Sequence, residues 1–156
     1  MALLFDASSF VNVIMQRGED ALNLMRGQQL LDLTLYEVGN SIWKLRTLTR
    51  KLNEEDVNAL INVAMNVANR IKVIQFSQLS SLDTMKVAFK DGITFYDATY
   101  IQVAKSRELT LVTDDATLAS IASKYTQVKS SRELKLSAGE SFEGKGKFAG
   151  NSEKGL

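Results

Sequence analysis

The sequence predicts a single small α/β domain, a three-layer α/β/α arrangement with a central, mainly parallel sheet. Two observations carry that expectation. Short apolar runs alternate along the chain with longer segments of helical periodicity, the pattern of strands joined by helical crossovers. The chain is also 156 residues long, 45% hydrophobic and 24% charged, enough for one domain with a substantial core and too apolar for a disordered chain.

Each element follows from its residues. Residues 2–5 read as a first buried strand ending at Asp6, and a helix from about Ser8 carries Phe10, Val11, Val13 and Ile14. A short second helix covers 19–25, a second strand 29–33, and a long helix 35–51. Asn53 has the chemistry of an N-cap, with Glu54, Glu55 and Asp56 in the first turn where the helix dipole favours negative charge. The helix it opens spaces Val57, Leu60, Ile61, Ala64, Met65 and Ala68 at 3.6-residue intervals. A third strand is expected at 72–76. Helices follow at 82–90 and 95–106, separated by Asp91-Gly92. A fourth strand at 109–113, a helix at 117–124 and a short fifth strand at 127–129 complete a domain over 1–136. From 137 to 156 Gly, Ser, Lys and Glu dominate, and a flexible tail without a catalytic role is expected.

Composition removes whole classes of chemistry. There is no Cys, hence no disulfide, thiolate nucleophile or zinc–thiolate centre, which fits a reducing cytoplasm. There is no His, so the Ser-His-Asp triad and imidazole ligands are excluded as well. Carboxylates remain as the leading reactive groups, and their natural partners are hard cations such as Mg²⁺ or Mn²⁺. A net charge of +1 supplies no general attraction for nucleic acid, so any such contact must come from a local patch. No segment is apolar and long enough to span a bilayer, and the apolar start meets Asp6 at once without a basic leader.

The acids recur at the strand–helix joints. Asp6 ends the first strand in LLFDASSF, Glu37 follows the second in DLTLYEVGN, Asp97 opens a helix in GITFYDATY, and Asp114-Asp115 follow the fourth in LVTDDATL. Singly, each has an ordinary explanation: Thr34–Glu37 and Thr94–Asp97 fit capping boxes, Asp6 an N-cap, and Asp114 the cap of a helix opening at Asp115. Caps need only their own helices, however. A doubly wound sheet with the first strand central, between the second and fourth, brings these joints to one cleft beyond the strand ends. Grouped carboxylates repel one another and raise each other's pKa unless a cation neutralises them, and acid-only clusters of this kind suit phosphodiester hydrolysis.

Four motifs in this order resemble the PIN domain, in particular VapC-type toxin ribonucleases: Asp6-Ala7-Ser8, Tyr36-Glu37-x-x-Asn40, Tyr96-Asp97-Ala98-x-Tyr100 and Leu111-Val112-Thr113-x-Asp115-x-x-Leu118. The similarity runs from about residue 2 to 130. It implies a metal-dependent endoribonuclease, usually dimeric and inhibited by a cognate antitoxin. By position, Asp6, Glu37, Asp97 and Asp115 become an acidic quartet. Asp6, Asp97 and Asp115 are expected to hold Mg²⁺ or Mn²⁺; Glu37 orients or deprotonates water, or helps bind a second metal. Attack on an RNA phosphate with departure of the 3′ oxygen leaves a 5′-phosphate. Ser8, Asn40, Thr113 and Asp114 are expected behind the quartet, Asp114 as a cap or outer support. Lys44 and Arg46 are candidate phosphate contacts, weighed against an ordinary solvated helix face. Trp43 and Tyr100 read as structural. Met25, Ile42 and Met65 suit either the core or a partner.

Two other sheet enzymes fit poorly. A haloacid-dehalogenase-type phosphatase wants a second Asp at position 8, which is Ser, and a response-regulator receiver wants its paired acids early. A PIN nuclease of RNA processing usually carries further domains, and a non-catalytic PIN-like binding module usually lacks quartet residues. The expectation is therefore a cytoplasmic toxin nuclease, with an RNA substrate, an antitoxin partner and a homodimeric state.

Overall fold

A computed structural model of the chain describes residues 1–134; the expected tail lies outside the described residues. Strands β1 (Leu3–Phe5), β2 (Gln29–Leu31), β3 (Lys72–Ile74), β4 (Thr110–Val112) and β5 (Val128–Lys129) form one parallel sheet in the order β3-β2-β1-β4-β5. The expected placement of the first strand between the second and fourth is thus observed. Helices α1 (Ala7–Arg17), α2 (Ala21–Met25), α3 (Asp32–Thr47) and α4 (Glu54–Ala68) precede β3; α5 (Ser81–Asp91), α6 (Phe95–Ser106) and α7 (Ala116–Ala122) follow it.

Neighbouring strand residues point to opposite faces, so the three central strands β1, β2 and β4 feed two cores. Phe5, Leu30 and Val112 pack with Phe10, Ile14, Val38, Ile42 and Leu60 under α1–α4. Leu4, Leu31, Ile74 and Leu111 pack with Val87, Ala98, Ile101 and Leu118 under α5–α7. Burial on both faces explains why the strands read as unbroken apolar runs. Met25 and Ile42 are core residues, whereas Met65 is exposed.

Three helices, α1, α4 and α6, start at the caps expected of them. Asn53 accepts from the Asp56 amide, and the Asp56 carboxylate accepts from the Asn53 amide. Thr94 accepts from the Asp97 amide, and its hydroxyl donates to Asp97. α5 stops at Gly92, whose left-handed conformation (φ 64°, ψ 37°) turns the chain into α6. Two joints differ from expectation. α3 opens at Asp32 rather than after Thr34, so Thr34 lies inside the first turn and its hydroxyl accepts from the Leu31 amide. The cap of α7 is Asp115 rather than Asp114: its Oδ1 accepts from the Leu118 amide at 2.9 Å. β2 and β3 end two residues before their expected bounds and β4 one residue before; at β2 the reason is that α3 begins directly at Asp32.

Candidate active site

The carboxyl ends of β1 and β4 lie side by side, with Phe5 level with Val112, so the loops leaving them meet. Asp6 sits at that meeting point and is nearly buried, at 5% exposure. Its Oδ1 caps α1 by accepting from the Ser9 amide at 2.8 Å. Ser8 donates to it at 2.8 Å, and the Thr113 hydroxyl donates to Oδ2 at 2.5 Å. Those two hydroxyls in turn accept from the next loop: the Asp114 amide donates to Ser8 and the Asp115 amide to Thr113. Two short relays therefore sew the β4–α7 joint onto Asp6. Burial raises the Asp6 pKa, and the hydrogen bonds from Thr113, Ser9 and Ser8 offset this only in part.

Glu37 reaches the same region from the second turn of α3. Burial pushes its pKa up, a hydrogen bond from Tyr100 opposes that, and the charges of Asp6 and Asp97 raise it further. Asp6, Glu37 and Asp97 come from three different elements and share one field. Among the described residues the only ion pairs are Lys86–Asp83 and Lys124–Asp91, so no Lys or Arg neutralises any of the quartet.

The two acids of the β4–α7 joint have different work. Asp114 accepts from the Asn12 side chain at 2.6 Å and from the Ser131 amide at 2.8 Å, tying α1 to the turn at Ser131–Glu133. Burial raises its pKa, but the hydrogen bonds from Ser131 and Asn12 outweigh that and hold it below the ordinary value. Asp115 is exposed and caps α7 through one oxygen, leaving Oδ2 without a hydrogen bond among the described residues. A cleft of ≈ 470 Å³ opens here, lined by Asn12, Thr113, Asp114, Asp115, Ser130 and Arg132 among others.

The expected quartet offers oxygen donors alone, the chemistry a hard divalent cation takes; the pKa values of Asp6 and Glu37 are raised, and no cationic side chain among the described residues pairs with any of the four. In this side-chain arrangement, no three acids among the described residues lie close enough to enclose an ion.

No family model matches the chain. It is 28% identical over 124 residues to ribonuclease VapC3 of Pyrobaculum aerophilum, covering 76% of this chain and 93% of that protein. It is 38% identical over 89 residues to exonuclease VapC9 of the same organism, covering 57% of this chain and 62% of that one. The crystal structure of PAE2754 from Pyrobaculum aerophilum superposes with a TM-score of 0.65 at 30% identity, covering 82% of this chain and 89% of the other. The chain belongs to the VapC-type PIN-domain family. A second solved structure, FitAB bound to an IR36 DNA fragment, shares the PIN fold at 20% identity with a TM-score of 0.53.

Within this PIN domain, sequence reasoning brought Asp6, Ser8, Thr113 and the Asp114-Asp115 pair to one place, and Glu37 and Asp97 to the same field. Asn40 is exposed on α3, and its side chain makes no hydrogen bond among the described residues. Lys44 is exposed, while Arg46 is engaged with the Leu52 carbonyl at 3.2 Å and so holds the end of α3. Trp43 is half exposed and Tyr100 almost wholly buried. Three participants were missed: Ser9, Asn12 and the Tyr100 hydroxyl. Ser9 was findable, since it stands three residues after a capping Asp. Tyr100 lies one turn after Asp97 in the Y-D-A-x-Y motif, but that its hydroxyl meets Glu37 depends on how α3 and α6 pack.

Proposed function

We propose that the chain is a Mg²⁺- or Mn²⁺-dependent endoribonuclease acting through Asp6, Glu37, Asp97 and Asp115, and that it is the toxin of a VapBC-type toxin–antitoxin pair. The observation that carries the reading is that Asp6, Glu37 and Asp97 come from separate elements into one electrostatic field at the carboxyl end of the sheet, with no ion pair to a cationic side chain among the described residues. The names of VapC3, a ribonuclease, and VapC9, an exonuclease, support nuclease chemistry. The matched region spans 62% of VapC9.

Asp6, Asp97 and the free oxygen of Asp115 would hold the cation, which supplies a Lewis acid at the phosphate and lowers the pKa of water there. Glu37 takes the proton of the attacking water. A bond forms from water oxygen to phosphorus and the bond to the 3′ oxygen breaks, leaving a 5′-phosphate and, with a solvent proton, a 3′-hydroxyl. Hydrogen bonds from Thr113, Ser9 and Ser8 favour the ionised form of Asp6 against the opposing effect of burial. Lys44, on the exposed face of α3, and Arg132, at the cleft, are the cations available to the RNA backbone.

An antitoxin partner, a homodimer and a cytoplasmic location belong to this reading. No helix among the described residues is long and apolar enough to cross a membrane. For the homodimer, α5 offers Leu82, Met85 and Phe89 exposed at i, i+3 and i+7. Asp83 and Lys90 flank that stripe on one side, seven residues apart. Antiparallel pairing of α5 with its own copy sets each Asp83 opposite the other protomer's Lys90, a self-complementary two-fold contact.

The test is cleavage of linear and circular RNA by purified protein with Mg²⁺, Mn²⁺ or EDTA, beside an Asp6→Asn, Asp97→Asn double variant. Asn keeps an acceptor oxygen for the Ser9 amide at position 6 and for the Thr94 hydroxyl at position 97 while removing the charge. We expect metal-dependent cutting of both RNAs, reduced at least about 10²-fold in the variant. Cutting of linear RNA alone would favour the exonuclease reading that the VapC9 name suggests. A folded wild type that cuts neither would leave a binding module.

A further inference from the structure

We propose that Tyr100 is the positioning residue for Glu37, holding its carboxylate at the site through a hydrogen-bond chain that begins at the backbone of β2. The inference rests on the ribonuclease reading of the site. The Leu31 amide donates to Thr34 Oγ1 at 3.2 Å, so the Thr34 proton is free to go onward. Thr34 Oγ1 lies 2.9 Å from the Tyr100 oxygen, and Tyr100 donates to Glu37 Oε2 at 2.6 Å. Each hydroxyl has one proton, and the last acceptor is a carboxylate, so the chain runs one way and each bond polarises the next.

Placement gives the chain its purpose. Thr34 lies one turn before Glu37 on α3, and Tyr100 one turn after Asp97 on α6, so the phenol bridges the two helices that carry these acids. Glu37 is a three-torsion side chain, half-buried, and repelled by both Asp6 and Asp97. Untethered, it would relieve that repulsion by swinging towards solvent. A charge-assisted bond from a buried donor holds one oxygen in place and leaves Oε1 for water. Tyr100 is suited to this because it is 2% exposed, and burial together with the Glu37 charge keeps its hydroxyl protonated far above the working pH. A Phe would fill the same core volume, so packing does not account for the hydroxyl.

The test compares Tyr100→Phe with Val103→Ala, a buried residue of α6 away from the acids, as a control for destabilisation. RNA cleavage is followed as kcat and KM. Denaturant unfolding is measured for wild type, Tyr100→Phe, Glu37→Ala and the double variant. We expect kcat of Tyr100→Phe to fall about 10²-fold with KM unchanged, Val103→Ala to keep kcat, and the unfolding cycle to be non-additive. Unchanged kcat in Tyr100→Phe, equal losses in both α6 variants, or an additive cycle would overturn the positioning role while leaving the ribonuclease reading intact. A wild type that cuts no RNA overturns both, and a non-additive cycle would then mark the contact as part of the fold alone.

Discussion

Asp6 serves local and long-range purposes at once: it caps α1, and through Ser8 and Thr113 it anchors the loop that carries Asp115. The local capping explanation and the functional one are therefore not rivals. An N-terminal helix position supplies amide donors that favour the ionised form of a buried acid, the form a metal-binding carboxylate needs. Glu37 lacks such amide donors, and its pKa is raised above the ordinary 4.5 by burial first and by neighbouring charge after it. That has a measurable sign. Protonated Glu37 favours the folded state, and this contribution is full below pH 4.5 and lost as pH rises through the elevated folded value. Gln at the position does not titrate. In EDTA, the melting temperature of Glu37→Gln should therefore gain on wild type as pH rises from about 4.5 to neutrality. A constant difference across that range would show that the carboxyl is not perturbed.

The elements show where capping chemistry is sufficient and where it is ambiguous. Asn53 and Thr94 start their helices as read from sequence, since the local alternatives are few. At α3 the box Thr34–Glu37 is present in sequence but unused as a cap, because Asp32 already carries helical geometry and Thr34 is drawn inwards to Tyr100. Gly92 ends α5 in the left-handed region, and a Cβ added there would meet nothing within 4 Å, so the cost of a side chain is conformational alone. Gly92→Ala should lose about 1 kcal/mol of stability, read as a lower urea midpoint with unchanged slope. Cleavage per folded molecule should stay at the wild-type level, since α6 still begins at Thr94.

At the level of the whole molecule, the crossing order β3-β2-β1-β4-β5 gathers the acids, because the joints after β1 and β4 become neighbours although more than 100 positions apart in the chain. Among the described residues the same packing leaves the α5 stripe uncovered, with Phe89 81% exposed. If that stripe is the two-fold contact, Phe89→Asp should convert a dimer to a monomer in light scattering and leave the melting temperature of the isolated domain nearly unchanged. A dimer that persists in the variant would place the contact elsewhere.

Apolar runs and helical periodicity were enough to set the number, order and kind of the elements, and the acids at their ends were legible as a set. Periodicity depends on near neighbours, and so do caps such as Asn53. What the packing of distant segments settled was the division of labour between Asp114 and Asp115, the early start of α3 and the pairing of Tyr100 with Glu37. Both members of the Asp114-Asp115 pair suit the mouth of α7 in sequence; Asp115 takes the cap because Asn12 and the Ser131 amide hold Asp114. Those partners lie about 100 residues before and 17 after it, beyond the reach of any local rule.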